Sequence, residues 1–359
     1  MPRCRRPRGR CPFEENDPLM FRMPPVPTRV VSNPAGGALH GPAVVSSAWR
    51  HPALRVVVRS CVTLVLIVSG VFLLALALPG DIATQLTGAD HAAADALRAR
   101  FHLDEPWWRR LGYWWWAALQ GDLGVSWLTG TPVAVTVWGR LLRSLVVVVP
   151  AWVAAMILGV SLALYQAAHQ GRRRAAAANA FAAVVAAIPE AVIVVLLIVV
   201  VAVRLQWLPA VSLIPAGQSP WHYPRALVLP VVALALPVSA WVSRMVRGPA
   251  EELFRLRLYT AARRRGRSTH DAMLRIVVVR LLPVVIQTAA ISGVGLLSSG
   301  VVVEALVNYP GLGGLLAHAL GARDVPVIQG IAVVISTVAI ATYALADVSA
   351  GALARKVSR

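Results

Sequence analysis

The chain is 359 residues long, 57% hydrophobic and only 14% charged, with a mean hydropathy of +0.66. That balance excludes an ordinary soluble domain and points to a protein of the membrane. Its formal net charge is +19, and 34 of its 35 basic residues are arginine; because they lie between apolar runs, not on one soluble face, they exclude a nucleic-acid-binding domain and read as a topology signal.

Residues 1–52 are rich in Pro, Gly and Arg, lack any hydrophobic period, and are expected to form a disordered basic lead. Met20 and Met23 are alternative starts within it. No cleavable signal pattern is present, since the first apolar run begins late and is too long for an h-region. Six spans are expected in the remaining domain, 53–359: residues 56–78, 145–167, 180–203, 226–246, 281–303 and 327–350. Each has about the 20 apolar residues needed to cross a bilayer core. The fold class is therefore an all-α integral membrane protein with six transmembrane helices.

Pro79-Gly80-Asp81 is expected to end the first helix where it leaves the bilayer. A long connection, 79–140, follows, in which Trp107, Trp108, Tyr113, Trp114, Trp115 and Trp116 crowd together as in an interfacial aromatic belt. It holds four arginines against six acids up to Trp138, which suits the outside, whereas Gly171-Arg172-Arg173-Arg174 and the tail with Arg355 and Lys356 suit the inside. Both termini are thus expected in the cytoplasm. Glu190 follows Pro189 midway along the third expected span; a charge there is a candidate for the translocation path or for a helix–helix bond. Pro150, Pro230 and Pro237 are expected to kink their helices.

The connection 247–280 is unusual. From Arg244 to Arg275 it carries nine arginines against three acids, and it returns to apolar sequence at Leu281-Leu282-Pro283. Residues 251–262 contain no Pro or Gly and favour a helix, and Gly266 is suited to stop it with a positive φ. A basic face near anionic lipid and a docking site for a cytoplasmic partner are both open at this point. The outer turn 304–326 contains Glu304 and Asp324. Three scattered cysteines and eight dispersed histidines give no metal site, and with Lys356 as the single lysine no P-loop exists. The chain is therefore expected to be no enzyme and to hold no cofactor of its own.

Taken in order, these marks resemble the inner-membrane permease subunits of ABC importers, in the dipeptide/oligopeptide/nickel branch. The resemblance rests on Pro79-Gly80-Asp81, Leu103-Asp104-Glu105-Pro106, Gly121-Asp122-Leu123-Gly124, Trp207-Leu208-Pro209, Tyr309-Pro310-Gly311-Leu312-Gly313 and Arg323-Asp324-Val325-Pro326-Val327. It spans residues 56–347. It implies a type I importer bundle in which Tyr259, Thr260, Ala261, Ala262, Gly266, Ser268 and Pro283 belong to an ATPase-coupling loop. Thr260 stands where the family has Glu, and the run Arg263-Arg264-Arg265 is more basic than usual. Glu304, Pro310, Gly311, Gly313 and Asp324 would lie near the mouth that receives an external solute-binding protein. Ser292, Ser298 and Ser299, with Glu190, are candidates for the path itself.

The resemblance also implies partners: ABC ATPase subunits carrying ATP and Mg²⁺, a second homologous permease and membrane lipid, in the plasma membrane of a bacterium. The expected activity is import of di- or oligopeptides by alternating access. Nickel or another solute is the alternative within the family, and a self-sufficient secondary transporter the alternative outside it.

Overall fold

The structure is a computed structural model and describes residues 52–77, 82–88, 90–215 and 217–357. The basic lead and Pro79-Gly80-Asp81 lie outside the described residues. The regular secondary structure of the described residues is helical, apart from one isolated antiparallel bridge between Val125 and Pro132. The first helix, α1, spans Pro52–Ala77, and three short helices follow it: α2 (Ile82–Thr87), α3 (His91–Arg100) and α4 (Trp107–Leu119). Asp90 caps α3 by accepting from the Ala93 N–H at 3.0 Å, which satisfies one of the donors a helix start leaves open.

Next come α5 (Val133–Ala168), α6 (Arg173–Ala187), α7 (Glu190–Leu197, continued by a π turn over Ile198–Arg204) and α8 (Pro224–Arg255). The second half contains α9 (Arg257–Arg264), α10 (Thr269–Ala272, followed by a π turn over Met273–Val278), α11 (Val279–Leu306), α12 (Leu312–Ala322) and α13 (Val325–Val357). Among the described residues, five helical stretches are long and apolar enough to cross a membrane: Val57–Ala77, Val133–Ala168, Pro224–Arg255, His270–Leu306 and Val325–Gly351.

The third expected span, 180–203, is not one straight helix. α6 and the helix Glu190–Arg204 meet at 97°. Pro189 explains the break: its ring disfavours the helical region for the preceding residue, and Ile188 sits at φ −81°, ψ 126°. Counting the bent pair as one crossing gives six. By contrast, α5 and α8 run unbroken through Pro150, Pro230 and Pro237.

The centre of the bundle is the pairing of α5 with α8. On α5, Ala151, Ala155, Gly159, Ala163 and Ala167 recur every fourth residue and are all buried. They form one ridge of small side chains facing Ala233, Ser239, Val242, Val246 and Ala250 of α8. In lipid the hydrophobic effect contributes little between helices, so close backbone approach and dispersion hold such a pair together. Gly159 marks the tightest point, since a Cβ there would lie 2.7 Å from both Ser239 O and Val242 Cβ. The pairing runs parallel: the early half of α5 meets the early half of α8, and Arg255 at the end of α8 donates to Gln170 Oε1 just past the end of α5 at 3.0 Å. α11 and α13 complete the core, with α1 against α13.

This arrangement sorts the connections to two ends. One end gathers 120–132, 205–223 and 307–324; Ser212 N–H, for example, donates to Val307 O at 2.7 Å. The other gathers 169–172 and 256–268 and holds most of the exposed arginines.

Candidate functional site

At the arginine-rich end, the expected loop of about 30 residues is mostly helix. α8 continues to Arg255, and the stretch that becomes α11 is already helical at Thr269, so Pro283 lies inside α11, not at its entrance. Only Leu256 (φ −59°, ψ 140°) breaks the backbone between α8 and α9. The new helix is turned against α8 by an edge-on contact of Tyr259 with Phe254, ring centroids 5.0 Å apart. At its other end Gly266 has φ +84°, the left-handed value expected of a helix stop. Ser268 Oγ then accepts from Asp271 N–H at 3.1 Å to start α10.

The side chains of α9 divide sharply by face. Ala262 is 3% exposed and packs into the protein's own interior. Ala261 and Tyr259 are half-buried, and Arg257, Thr260, Arg263 and Arg264 are exposed. A helical turn of 100° per residue puts Arg257, Thr260, Ala261 and Arg264 on one face. Beyond Gly266, the Asp271 carboxylate pairs with Arg275 at 2.6 Å and Arg267 at 3.5 Å.

At the opposite end two buried carboxylates organise the loops. Glu304 is 1% exposed in the last turn of α11, not a solvated loop charge. Its Oε2 accepts from Gly313 N–H at 2.8 Å, while Ser144 Oγ on α5 accepts from Leu312 N–H at 2.8 Å. Together they satisfy two of the open donors at the start of α12. The fit leaves no spare room: a Cβ on Gly311 would overlap the Glu304 carboxylate and Ser144 Oγ, and one on Gly313 would overlap the Val301 backbone.

Around this carboxylate, Arg140 donates to Pro310 O at 3.0 Å and the Tyr309 hydroxyl donates to Arg143 O at 2.7 Å. Burial, and next the Glu304 charge, hold the Tyr309 hydroxyl above its ordinary pKa, so it stays a donor.

Asp324, 2% exposed, does the same for the turn 124–132. It accepts from Ser126 Oγ–H at 2.5 Å, Trp127 N–H at 3.1 Å and Leu128 N–H at 3.4 Å, across nearly 200 residues of sequence. Between these two anchors opens a cleft of about 530 Å³, lined among others by Thr129, Thr136, Arg140, Asn308 and His318.

The path candidates are scattered. Glu190 sits in the first turn of α7, beside the break instead of midway along a span, and is half-buried. Ser292 is buried against α5, where Trp152 Nε1–H donates to Ala289 O at 2.9 Å and to Ser292 Oγ at 3.2 Å. It therefore joins helices and does not line an opening. Ser298 is exposed, its hydroxyl donating to Val294 O, and Ser299 is half-buried. Sequence reasoning missed Ser126, Ser144 and Arg140 altogether. Arg140 and Ser144 are polar residues inside the largely apolar α5, and Ser126 lies in the turn before it. Among the described residues no group of His, Cys, Asp and Glu is placed to hold a metal ion.

Residues 155–359 match the model of the binding-protein-dependent transport system inner membrane component family. A peptide transport system permease protein of Brucella abortus (strain 2308) is 27% identical over 279 residues, 77% of this chain and 89% of its own length. The glutathione transport system permease protein GsiC of Escherichia coli O6:H1 is 30% identical over 262 residues, 72% of this chain and 83% of its own length. Among solved structures, the inward-facing MetNI methionine ABC transporter overlaps 62% of this chain and 96% of its own at 15% identity, with a TM-score of 0.46. With a family match over more than half of its length and an all-helical bundle of five to six crossings, the chain belongs to the binding-protein-dependent transport system inner membrane components, the multi-pass permease subunits of ABC importers.

Proposed function

We propose that this permease forms half of the translocation path of an importer for di- or oligopeptides, glutathione-sized solutes included. The observation that carries the substrate class is the likeness, over most of both chains, to permeases named for peptide and glutathione transport. Both termini and the arginine-rich end face the cytoplasm, following the excess of arginine in those connections. The end with Glu304, Pro310, Gly311, Gly313 and Asp324 then faces outward and receives a solute-binding protein, over the cleft that Arg140 and Asp324 line.

In this reading the chain supplies no catalysis. ATP and Mg²⁺ are held by a separate ATPase, and a second permease completes the pore. The elbow formed by Leu256, α9 and Gly266 is the coupling element that receives the ATPase's motion: Thr260 and Ala261 meet the partner, while Tyr259 and Ala262 seat α9 against the protein and Ser268 caps the start of α10, ahead of Pro283 in α11. The solute crosses by alternating access along the half-exposed faces that include Ser298, Ser299 and Glu190.

The test is uptake by proteoliposomes containing the chain with its copurified subunits and binding protein. Labelled dipeptide and glutathione should accumulate only with ATP inside, and uptake should cease when Thr260 and Ala261 are both replaced by Trp. Accumulation of Ni²⁺ chelates without peptide would move the substrate to the other branch of the family. Uptake by the chain alone without ATP would remove the importer reading and leave a secondary carrier.

A further inference from the structure

The exposed face of α9 is strongly basic. On α9 the apolar arc is already occupied: Tyr259 lies against Phe254 and Ala262 is buried in the protein itself. What points away is a short face with Thr260 and Ala261 at its centre and Arg257 and Arg264 one turn to either side. Arg263 flanks it, and Arg265 and Arg267 follow in the exposed stop.

These cations are weakly neutralised from within. Asp271 pairs with Arg267 and Arg275, on the far side of Gly266, and Glu251 pairs with Arg247 one helix back. On the outward face of α9, Arg257 and Arg264 have no acidic side chain within ion-pair distance among the described residues.

Resting on the importer reading above, we infer that α9 is an arginine clamp that selects an ATPase whose docking cleft carries carboxylates on both rims. The geometry is specific. Seven residues separate Arg257 from Arg264, which places their side chains about 10 Å apart along the helix axis. Thr260 and Ala261 between them are small enough to let the floor of a cleft approach the backbone. A fitting partner therefore has an apolar or small-residue floor with Asp or Glu about 10 Å apart along it. Guanidinium groups suit such rims because their planar fork binds a carboxylate with two hydrogen bonds.

The same arginines do not form a lipid anchor of the usual kind. A helix lying in the headgroup layer inserts its apolar face, and here that face is turned into the protein. Opposed charge of this kind governs partner choice and encounter rate more than it adds raw affinity.

The experiment uses the intact complex in detergent, then in nanodiscs. Retention of the ATPase on the immobilised permease is measured from 50 to 500 mM NaCl for wild type, Arg257→Glu/Arg264→Glu and Arg257→Lys/Arg264→Lys. Arg109→Glu, an exposed arginine at the opposite end, is the control. We expect wild-type retention to fall at least tenfold over that salt range. The Glu variant should lose the ATPase at least tenfold at low salt while keeping the second permease, and the Lys variant should lie between.

Retention that ignores salt and survives the Glu substitutions would overturn the clamp. So would loss of activity in the Glu variant that tracks the anionic lipid content of the nanodisc with the ATPase still bound, which would assign the arginines to lipid. Failure of wild type to retain any ATPase, with uptake that needs no ATP, is a different result and removes the importer reading itself.

Discussion

Replacing Gly159 by alanine adds one methyl group at the tightest point of the α5–α8 pair. That carbon would sit 2.7 Å from Ser239 O and Val242 Cβ, about 0.7 Å short of ordinary contact. Neither neighbour can step aside, because one is backbone and the other is the branch point of a buried valine. The helices must separate instead, and a gap of 0.5–1 Å forfeits a quarter to a half of each dispersion contact of ~0.1–0.2 kcal/mol.

With roughly ten cross-helix atom pairs for each of the small residues from Ala151 to Ala167, the loss is about 2–4 kcal/mol, within the usual cost of overpacking. The better helix propensity of alanine returns about 1 kcal/mol. Gly159→Ala should therefore destabilise the isolated chain by about 1–3 kcal/mol. Thermal unfolding in mild detergent measures it, and a domain of about 300 residues loses roughly 1–2 °C per kcal/mol.

Gly139→Ala, on the same helix with no atom within 4 Å of the added carbon, supplies the control and should melt at or slightly above wild type. Equal melting temperatures for the two variants would refute the close-packed ridge.

The two buried carboxylates give the remaining expectations. Glu304→Ala leaves the Gly313 N–H without its acceptor and should cost about 1–3 kcal/mol; limited proteolysis within 307–324 should accelerate, whereas Glu304→Gln, which keeps an acceptor oxygen, should lie nearer wild type. Asp324→Asn presents an amide NH₂ to one of the N–H or O–H donors that Asp324 now accepts, and should loosen the turn 124–132 by about 1–3 kcal/mol. Faster hydrogen exchange at Trp127 and Leu128, with unchanged exchange in α8, is the expected signature.

Span number and the arginine-rich elbow were legible in the sequence because both depend on local signals. Twenty apolar residues make a crossing wherever they occur, and a helix-permissive run ending in Gly266 makes a helix with a left-handed stop. The break at Ile188 was missed: Pro189 restricts its predecessor, but the apolar run across it concealed the signal. Prolines alone did not decide the matter, for α8 passes through Pro230, Pro237 and Pro249 unbroken.

What the sequence could not reveal was long-range pairing. Nothing near Ser126 announces that its hydroxyl meets a carboxylate 198 residues away, and nothing near Ser144 announces Leu312. The inward turn of Ala262 has the same origin. Periodicity defines an apolar face on α9, but whether that face meets this chain or another depends on the backbone angle at Leu256.

The ridge on α5 and the anchors at the two ends are mechanically one object. α8 begins at Pro224, beside Ser212, whose hydroxyl donates to Ala226 O at 2.6 Å and whose N–H donates to Val307 O in the turn that follows Glu304. It ends at Arg255, one residue before α9. Its 32 residues span about 48 Å, the full depth of a bilayer with its headgroups. A displacement of α9 would therefore reach the turn after Glu304, at the opposite end, through a single helix, provided that helix does not slide freely along its neighbour.

The small-residue ridge resists such sliding, because Gly159 is seated against Ser239 and Val242 with no clearance. Motion of α8 must then carry α5 with it, and α5 holds Ser144, Arg143 and Arg140 against the start of α12. Compliance is left to the places where regular α-helix is interrupted: the 97° break at Pro189 and the π turns Ile198–Arg204 and Met273–Val278. The alternating access proposed above requires both properties, a rigid pair that transmits and joints that yield. In this chain they fall on different helices.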